Sequence, residues 1–121
     1  MTSEDTLLRF WKAIDTADWE GVGALLSTDF HGHYPATGEH FDRAGFVRLN
    51  AEYPGRWHAE VLELVATEDR CVTRARVSDA HGGPESHQVA SFATVRDGLI
   101  TDVCEVWDEE GSTPPPDRRP T

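Results

Sequence analysis

The sequence predicts an α+β fold, a curved antiparallel sheet wrapped around about three helices, and three observations carry this. Residues 6–26 and 43–52 place apolar residues at helical spacing, whereas residues 57–108 alternate with period two. The alternating part is punctuated by Glu68-Asp69, His81-Gly82-Gly83-Pro84 and Asp97-Gly98, so its strands follow one another as hairpins. The 121 residues, 38% hydrophobic with four Trp, suffice for one domain with one core. Segregated helices and consecutive antiparallel strands pack as layers, with the helices on one face of the sheet. A sheet curved around helices leaves a cavity between them, the default place for a ligand.

The first helix is expected over Thr6–Thr16, with Leu7, Trp11 and Ile14 at i, i+4 and i+7 and Ser3 as a partial cap. Asp18 caps a second, shorter helix carrying Trp19, Val22, Leu25 and Leu26, which Gly21 and Gly23 weaken. Residues 29–35 switch to alternation, with Phe30, Gly32 and Tyr34 on one face and Asp29, His31 and His33 on the other. Thr37-Gly38 turns the chain into a short strand, Glu39-His40-Phe41. Asp42 caps a third helix from Arg43 to about Glu52, ended by Pro54-Gly55. Long strands are expected over Trp57–Thr67, Cys71–Ser78, Ser86–Arg96 and from Leu99 to Asp108. The tail 111–121, with Pro114-Pro115-Pro116 and Pro120, suits neither a helix nor a central strand, so the domain is expected to end near residue 110.

Composition narrows the partners. A net charge of −11 disfavours nucleic acid and anionic membranes, which reward a Lys/Arg surplus. No run of about 18 apolar residues is present, so no membrane-spanning helix is expected. The acidic start Met1-Thr2-Ser3-Glu4-Asp5 lacks a basic segment followed by an apolar one, which points to the cytoplasm. Cys71 and Cys104 lie in apolar strand contexts and are expected to be free thiols.

One residue asks for a chemical explanation. Alternation from Leu99 places Glu105 on the face of Val103 and Trp107. A carboxyl buried among such neighbours must be paired or protonated. It forms either a structural ion pair with Arg74 or Arg76 or a functional acid–base group.

The order and spacing of several short motifs resemble the nuclear transport factor 2-like superfamily, in its SnoaL-like branch. They are Leu8-Arg9-Phe10-Trp11, Asp18-Trp19, Leu25-Leu26 before Asp29-Phe30, Tyr34-Pro35, Tyr53-Pro54-Gly55, and Arg96-Asp97-Gly98-Leu99-Ile100 leading into Glu105-Val106-Trp107-Asp108. The resemblance implies a cone-shaped fold and homodimers formed through the outer sheet face. It also implies functions from polyketide cyclase, ketosteroid isomerase, epoxide hydrolase and dehydratase to binding without catalysis. It sets Glu105 at the position of the epoxide hydrolases' last-strand Asp, and His31 and His33 at that of their water-holding Tyr-x-Asn. No Asp stands near Arg74 and Arg76 to complete their acid pair, and Tyr34 replaces the residue that ketosteroid isomerase needs before the Pro, which argues against both of those activities.

The candidate catalytic residues are therefore Glu105, His33 and His31. If they face one cavity, a carboxylate beside an imidazole can move a proton at carbon or activate a water, and no cofactor is needed. His31-x-His33 with Glu105 also has metal-ligand spacing, but two polar residues on one strand face are common and no metal is expected. Trp11, Tyr53, Phe46, Trp107 and Arg76 are the candidate substrate contacts, the aromatic ones with simple core packing as their alternative. The expected partner is a small apolar, oxygenated molecule.

Overall fold

The structure, a computed structural model, describes residues 1–120. Its elements are α1 (Ser3–Asp15), α2 (Trp19–Ala24), β1 (Leu26–Tyr34), β2 (Glu39–Phe41), α3 (Arg43–Glu52), β3 (Trp57–Ala66), β4 (Arg70–Asp79), β5 (Ser86–Arg96), β6 (Leu99–Glu109) and a 3-10 turn at Pro116–Arg118. The α+β architecture is the expected one. α1 starts earlier than its apolar pattern suggests, because Thr2 and Asp5 form a capping box. The Thr2 hydroxyl accepts from the Asp5 N–H at 3.1 Å and the Asp5 carboxylate accepts from the Thr2 N–H at 3.2 Å. Ser3 is buried instead, and its hydroxyl donates to the Thr67 carbonyl at 2.6 Å, fastening α1 to the β3–β4 turn. Asp18 and Asp42 cap α2 and α3 by accepting from the Gly21 and Gly45 N–H groups at 2.9 and 2.7 Å.

The strands form one open sheet in the order β2-β1-β6-β5-β4-β3. β3 to β6 make an antiparallel meander, and β1–β2 is a hairpin. β1 lies parallel to β6, so the sheet is mixed rather than wholly antiparallel. Alternation records which residues share a face, not the direction of a neighbour distant in sequence. At the β5–β6 turn, Asp97 and Gly98 both have positive φ, 51° and 76°, as a primed hairpin turn requires.

Two bulges in the β3–β6 meander adjust the faces. Val61 pairs with Ala75 and Glu63 with Arg74, leaving Leu62 as an extra residue. Past it the phase reverses, so Leu64 packs against the core while Glu63 and Val65 face solvent. On β6, Ile100 pairs with Val95 and Asp102 with Thr94, leaving Thr101 extra. Ile100 and Val103 are then both buried, and Asp102 is exposed.

The helices cover the concave face through Leu7, Phe10, Val22 and Phe46. Phe46 is the hub of an aromatic cluster, its ring centroid 5.2 Å from Phe30, 6.2 Å from Phe41 and 6.3 Å from Phe10. Cys71 and Cys104 are free, and burial pushes the Cys71 thiol up to about 11. At the end of the sheet the Glu110 carboxylate accepts from Arg76 Nε at 3.0 Å, Gln88 Nε2 at 2.7 Å and Ser86 Oγ at 2.5 Å. These donors, Arg76 foremost, hold its carboxyl down at about 2. A depressed acid stabilises the fold above its ordinary value and ceases to do so as pH falls through the depressed one. Glu110→Gln is therefore expected to lower the melting temperature at pH 7 and to make no difference near pH 2, as thermal melts across that range will report.

Candidate active site

A cavity of about 520 Å³ lies between the helices and the concave face of the sheet, walled by α1, α3, the chain entering β3, and the ends of β1, β5 and β6. That size suits a small organic ligand. Phe10, Trp11, Ile14, Trp19, Trp57 and Val77 make most of its wall apolar.

Glu105 stands in this wall with 2% of its surface exposed. The register explains why. Ser91 is the direct partner of Glu105 across β5–β6, and His33 is the partner of Cys104 across β1–β6. One residue further along β1 and β6, Tyr34 and Glu105 come to the concave face together. Ser91 Oγ donates to Glu105 Oε2 at 2.7 Å. Among the described residues no cation reaches this carboxyl. Arg74 and Arg76 lie on the convex face and pair with Glu63, Glu60 and Glu110.

Burial thus pushes the Glu105 acid above the usual carboxylate range, and Ser91, Tyr34 and Trp107 beside it pull partly the other way. Tyr34 is pushed in the same direction by its own burial and by the adjacent carboxyl, so it keeps its phenolic proton. The Trp107 indole N–H is buried beside Glu105 but completes no hydrogen bond among the described residues. An unmade bond of that kind costs about 1–3 kcal/mol.

The sequence-predicted residues divide. Glu105, Trp11, Tyr53 and Trp107 line the cavity. Trp11 offers its ring alone, because its Nε1 donates to Thr73 Oγ1 at 2.9 Å. Tyr53 stands at the mouth, 54% exposed.

Three expectations are corrected. His31 and His33 do not share the cavity with Glu105: alternation turns Phe30, Gly32 and Tyr34 toward the helices, which sends both histidines to the convex face. There His31 Nε2 lies 2.8 Å from His40 Nδ1 and 3.6 Å separates His31 Nδ1 from Asp102. The His33 ring stacks on His40 with centroids 4.3 Å apart. Phe46 is core rather than a cavity wall, since it is enclosed by Phe10, Phe30 and Phe41. Arg76 is held on the convex face by Glu110.

The residues missed are Tyr34, Ser91 and His87. Alternation had already put Ser91 and His87 on one face of β5 with Val89 and Ala93, and Tyr34 on the face of Phe30. His87 lines the cavity near Trp107, and its Nε2 lies 2.8 Å from Glu85. Among the described residues no group of three His, Cys, Asp or Glu is placed to hold a metal ion, and no helix is long and apolar enough to cross a membrane.

A buried, unpaired carboxyl flanked by a neutral phenol, a hydroxyl and a free indole N–H can give a proton to a ligand oxygen and take one back.

The sequence profile of the SnoaL-like domain family matches residues 7–103. No curated protein matches the chain in sequence. Among solved structures, a candidate ketosteroid isomerase from Kribbella flavida superimposes with a TM-score of 0.81 at 29% identity, over 94% of this chain and 83% of that one. IdmH, a candidate polyketide cyclase from Streptomyces antibioticus, does so with a TM-score of 0.71 at 25% identity, over 87% of this chain and 91% of that one. An epoxide hydrolase from M. tuberculosis, at 20% identity and a TM-score of 0.70 over 88% and 84% of the two chains, shares the fold.

Proposed function

We propose that this chain, which belongs to the SnoaL-like domain family, is an acid–base enzyme that rearranges an apolar, oxygenated small molecule in the cavity. The observation that carries this reading is the Glu105 carboxyl, fully enclosed, without a counter-ion, at the wall of an apolar cavity. A structural carboxyl is met by a cation, as Glu110 is, or by main-chain N–H groups, as Asp18 and Asp42 are, and Glu105 has neither. One left unpaired costs stability, and enzymes use such groups as proton donors near neutral pH.

The ligand's oxygen sits against Trp107 Nε1 and receives the Glu105 proton. The resulting carboxylate, steadied by Ser91 and Tyr34, then removes a proton from carbon. The two transfers balance and leave the carboxyl protonated, with the ketone converted to its enol. Return of a proton to a different carbon, with the enol O–H proton going back to the carboxylate, completes an isomerisation. Attack of the enol carbon on a second carbonyl of the same molecule, whose oxygen takes the proton, closes a ring. A protonated hydroxyl that leaves as water completes a dehydration. A proton transfer of this kind calls for no cofactor. The resemblance to the candidate isomerase and candidate cyclase supports the same class of chemistry.

Exchange in heavy water tests this without knowledge of the natural substrate. 2-Tetralone and other apolar ketones are incubated with the protein in D2O, and deuterium at the carbon next to the carbonyl is read by mass spectrometry. The protein is expected to accelerate exchange of at least one bound ketone by at least about a hundredfold, and Glu105→Gln is expected to abolish the acceleration. Binding of ketones without any acceleration would leave the fold as a ligand-binding module and end the enzymatic reading.

The same proposal includes a homodimer through the convex face. Val65, Val72, Phe92 and Val106 are exposed there together, more apolar surface than a solitary subunit gains from showing. Phe92→Arg is expected to yield monomers in sedimentation velocity at micromolar concentration where the wild type sediments as a dimer.

A further inference from the structure

The cavity mouth carries opposite charges on its two sides. Arg56 is the one Lys or Arg on the cavity wall among the described residues. It follows the Pro54-Gly55 turn and immediately precedes β3. Its Nη2 donates to the Asp15 carbonyl at 2.5 Å and its Nη1 to the Trp57 carbonyl. Both partners are main-chain oxygens, and no carboxylate among the described residues pairs with it. The nearby Asp15 carboxylate is engaged elsewhere, accepting from the Ala59 N–H at 2.8 Å with His58 Nδ1 at 2.5 Å.

In a chain with 22 acidic and 11 basic residues, a half-buried arginine left without an acid partner stands out. Arg76, the other half-buried basic residue among those described, has one in Glu110. A guanidinium has five N–H donors, and the two main-chain bonds aim it while leaving others free.

Glu39 is the carboxylate at the other side of the mouth. It begins β2 and also lines the cavity, its Oε1 held by Thr37 Oγ1 at 2.5 Å. β2 and β3 are the two edges of the sheet, so Glu39 and the residue leading into β3 flank the cavity from opposite sides.

We propose that the cavity's ligand is an apolar molecule bearing a single oxyanion group, a carboxylate being the best fit, which Arg56 receives while Glu39 excludes the reverse orientation. This rests on the reading of the cavity as a ligand site and adds the ligand's charge and direction to it. A planar guanidinium matches a carboxylate or sulfonate edge with two parallel N–H bonds, and partial burial strengthens the pair. The ligand's anionic end then lies by Arg56, its apolar body along the aromatic walls, and its reacting oxygen by Trp107 and Glu105.

The test uses two fluorescent probes that differ only in a sulfonate, 8-anilino-1-naphthalenesulfonate and N-phenyl-1-naphthylamine, titrated into the whole chain. Arg56→Gln is expected to weaken the sulfonate probe about tenfold and to leave the neutral one within about twofold. Glu39→Gln is expected to strengthen the sulfonate probe alone, by about twofold to threefold. Should Arg56→Gln not fold, the wild type supplies the reading, since raising NaCl from about 0.05 to 0.5 M then weakens only the sulfonate probe. Equal effects on both probes, or none on either, overturn the assignment of Arg56 and leave the cavity as a neutral ligand site. Failure of the neutral probe to bind overturns the cavity reading itself, and this inference with it.

Discussion

Glu105→Gln is expected to abolish acid–base turnover and to raise the melting temperature in the same variant. The catalytic loss is about 10² to 10⁴-fold, the usual share of a general acid–base group. The gain in stability follows from linkage. The folded state raises the Glu105 acid above its unfolded value, so in that interval the folded protein holds a proton that the unfolded chain has released. Below the ordinary carboxylate value both states are protonated and the residue costs little. As pH rises toward and through the folded value, stability is progressively lost, at about 1.4 kcal/mol for each unit of pKa elevation. The glutamine removes that loss and still accepts from Ser91. Melts at pH 5, 7 and 9 should give curves that coincide at the acid end and separate upward, by about 4 °C for each kcal/mol in a domain of this size. A uniform drop at all three pH values would make Glu105 a structural hydrogen-bond acceptor, and its catalytic assignment would fall.

Phe46→Ala is expected to be the most damaging single truncation in the aromatic core, costing about 3–5 kcal/mol, or roughly 10–20 °C. Its side chain is 1% exposed and is enclosed by other rings, so the cavity it leaves cannot collapse without moving several of them. The residual folded protein should bind the neutral naphthylamine as the wild type does. Tyr53→Ala should behave in the opposite way, with stability nearly unchanged and probe binding weakened, because Tyr53 is half exposed at the cavity mouth. Urea unfolding with probe titration separates the two. A Phe46→Ala protein of full stability but weakened binding would restore the ligand-contact role read from the sequence.

The fold was legible because the signals that specify it are local. Asp42, Phe46 and Pro54-Gly55 mark α3 from cap to stop, and Asp97-Gly98 fixes the last hairpin. Glu105 was legible for the same reason, as a charged residue in an apolar alternation. The bulges at Leu62 and Thr101 were not, since an extra residue leaves no mark on composition and yet changes which side chains meet the core. The histidines were misplaced by a related slip. The resemblance transferred positions on β1, and in a strand an offset of one residue exchanges the two faces. The alternation of Phe30, Gly32 and Tyr34 carried the correct assignment, and it points to Tyr34. Arg56 had no legible sign, because its place at the cavity depends on α1 and β3 coming together.

The parallel pairing of β1 with β6 also bears on the order in which the molecule is assembled. Ser91 and Glu105 belong to one hairpin closed by a tight turn, so they can meet early at small entropic cost. Tyr34 reaches Glu105 only when β1 docks on the last strand of the chain, after everything between them has been made. Contacts of such long sequence separation form late and slowly. Until then the Glu105 carboxyl lacks the burial that raises its acid. Its acid rises above the usual carboxylate range only once β1 has docked and buried it, so that rise is a readout of the β1–β6 pairing.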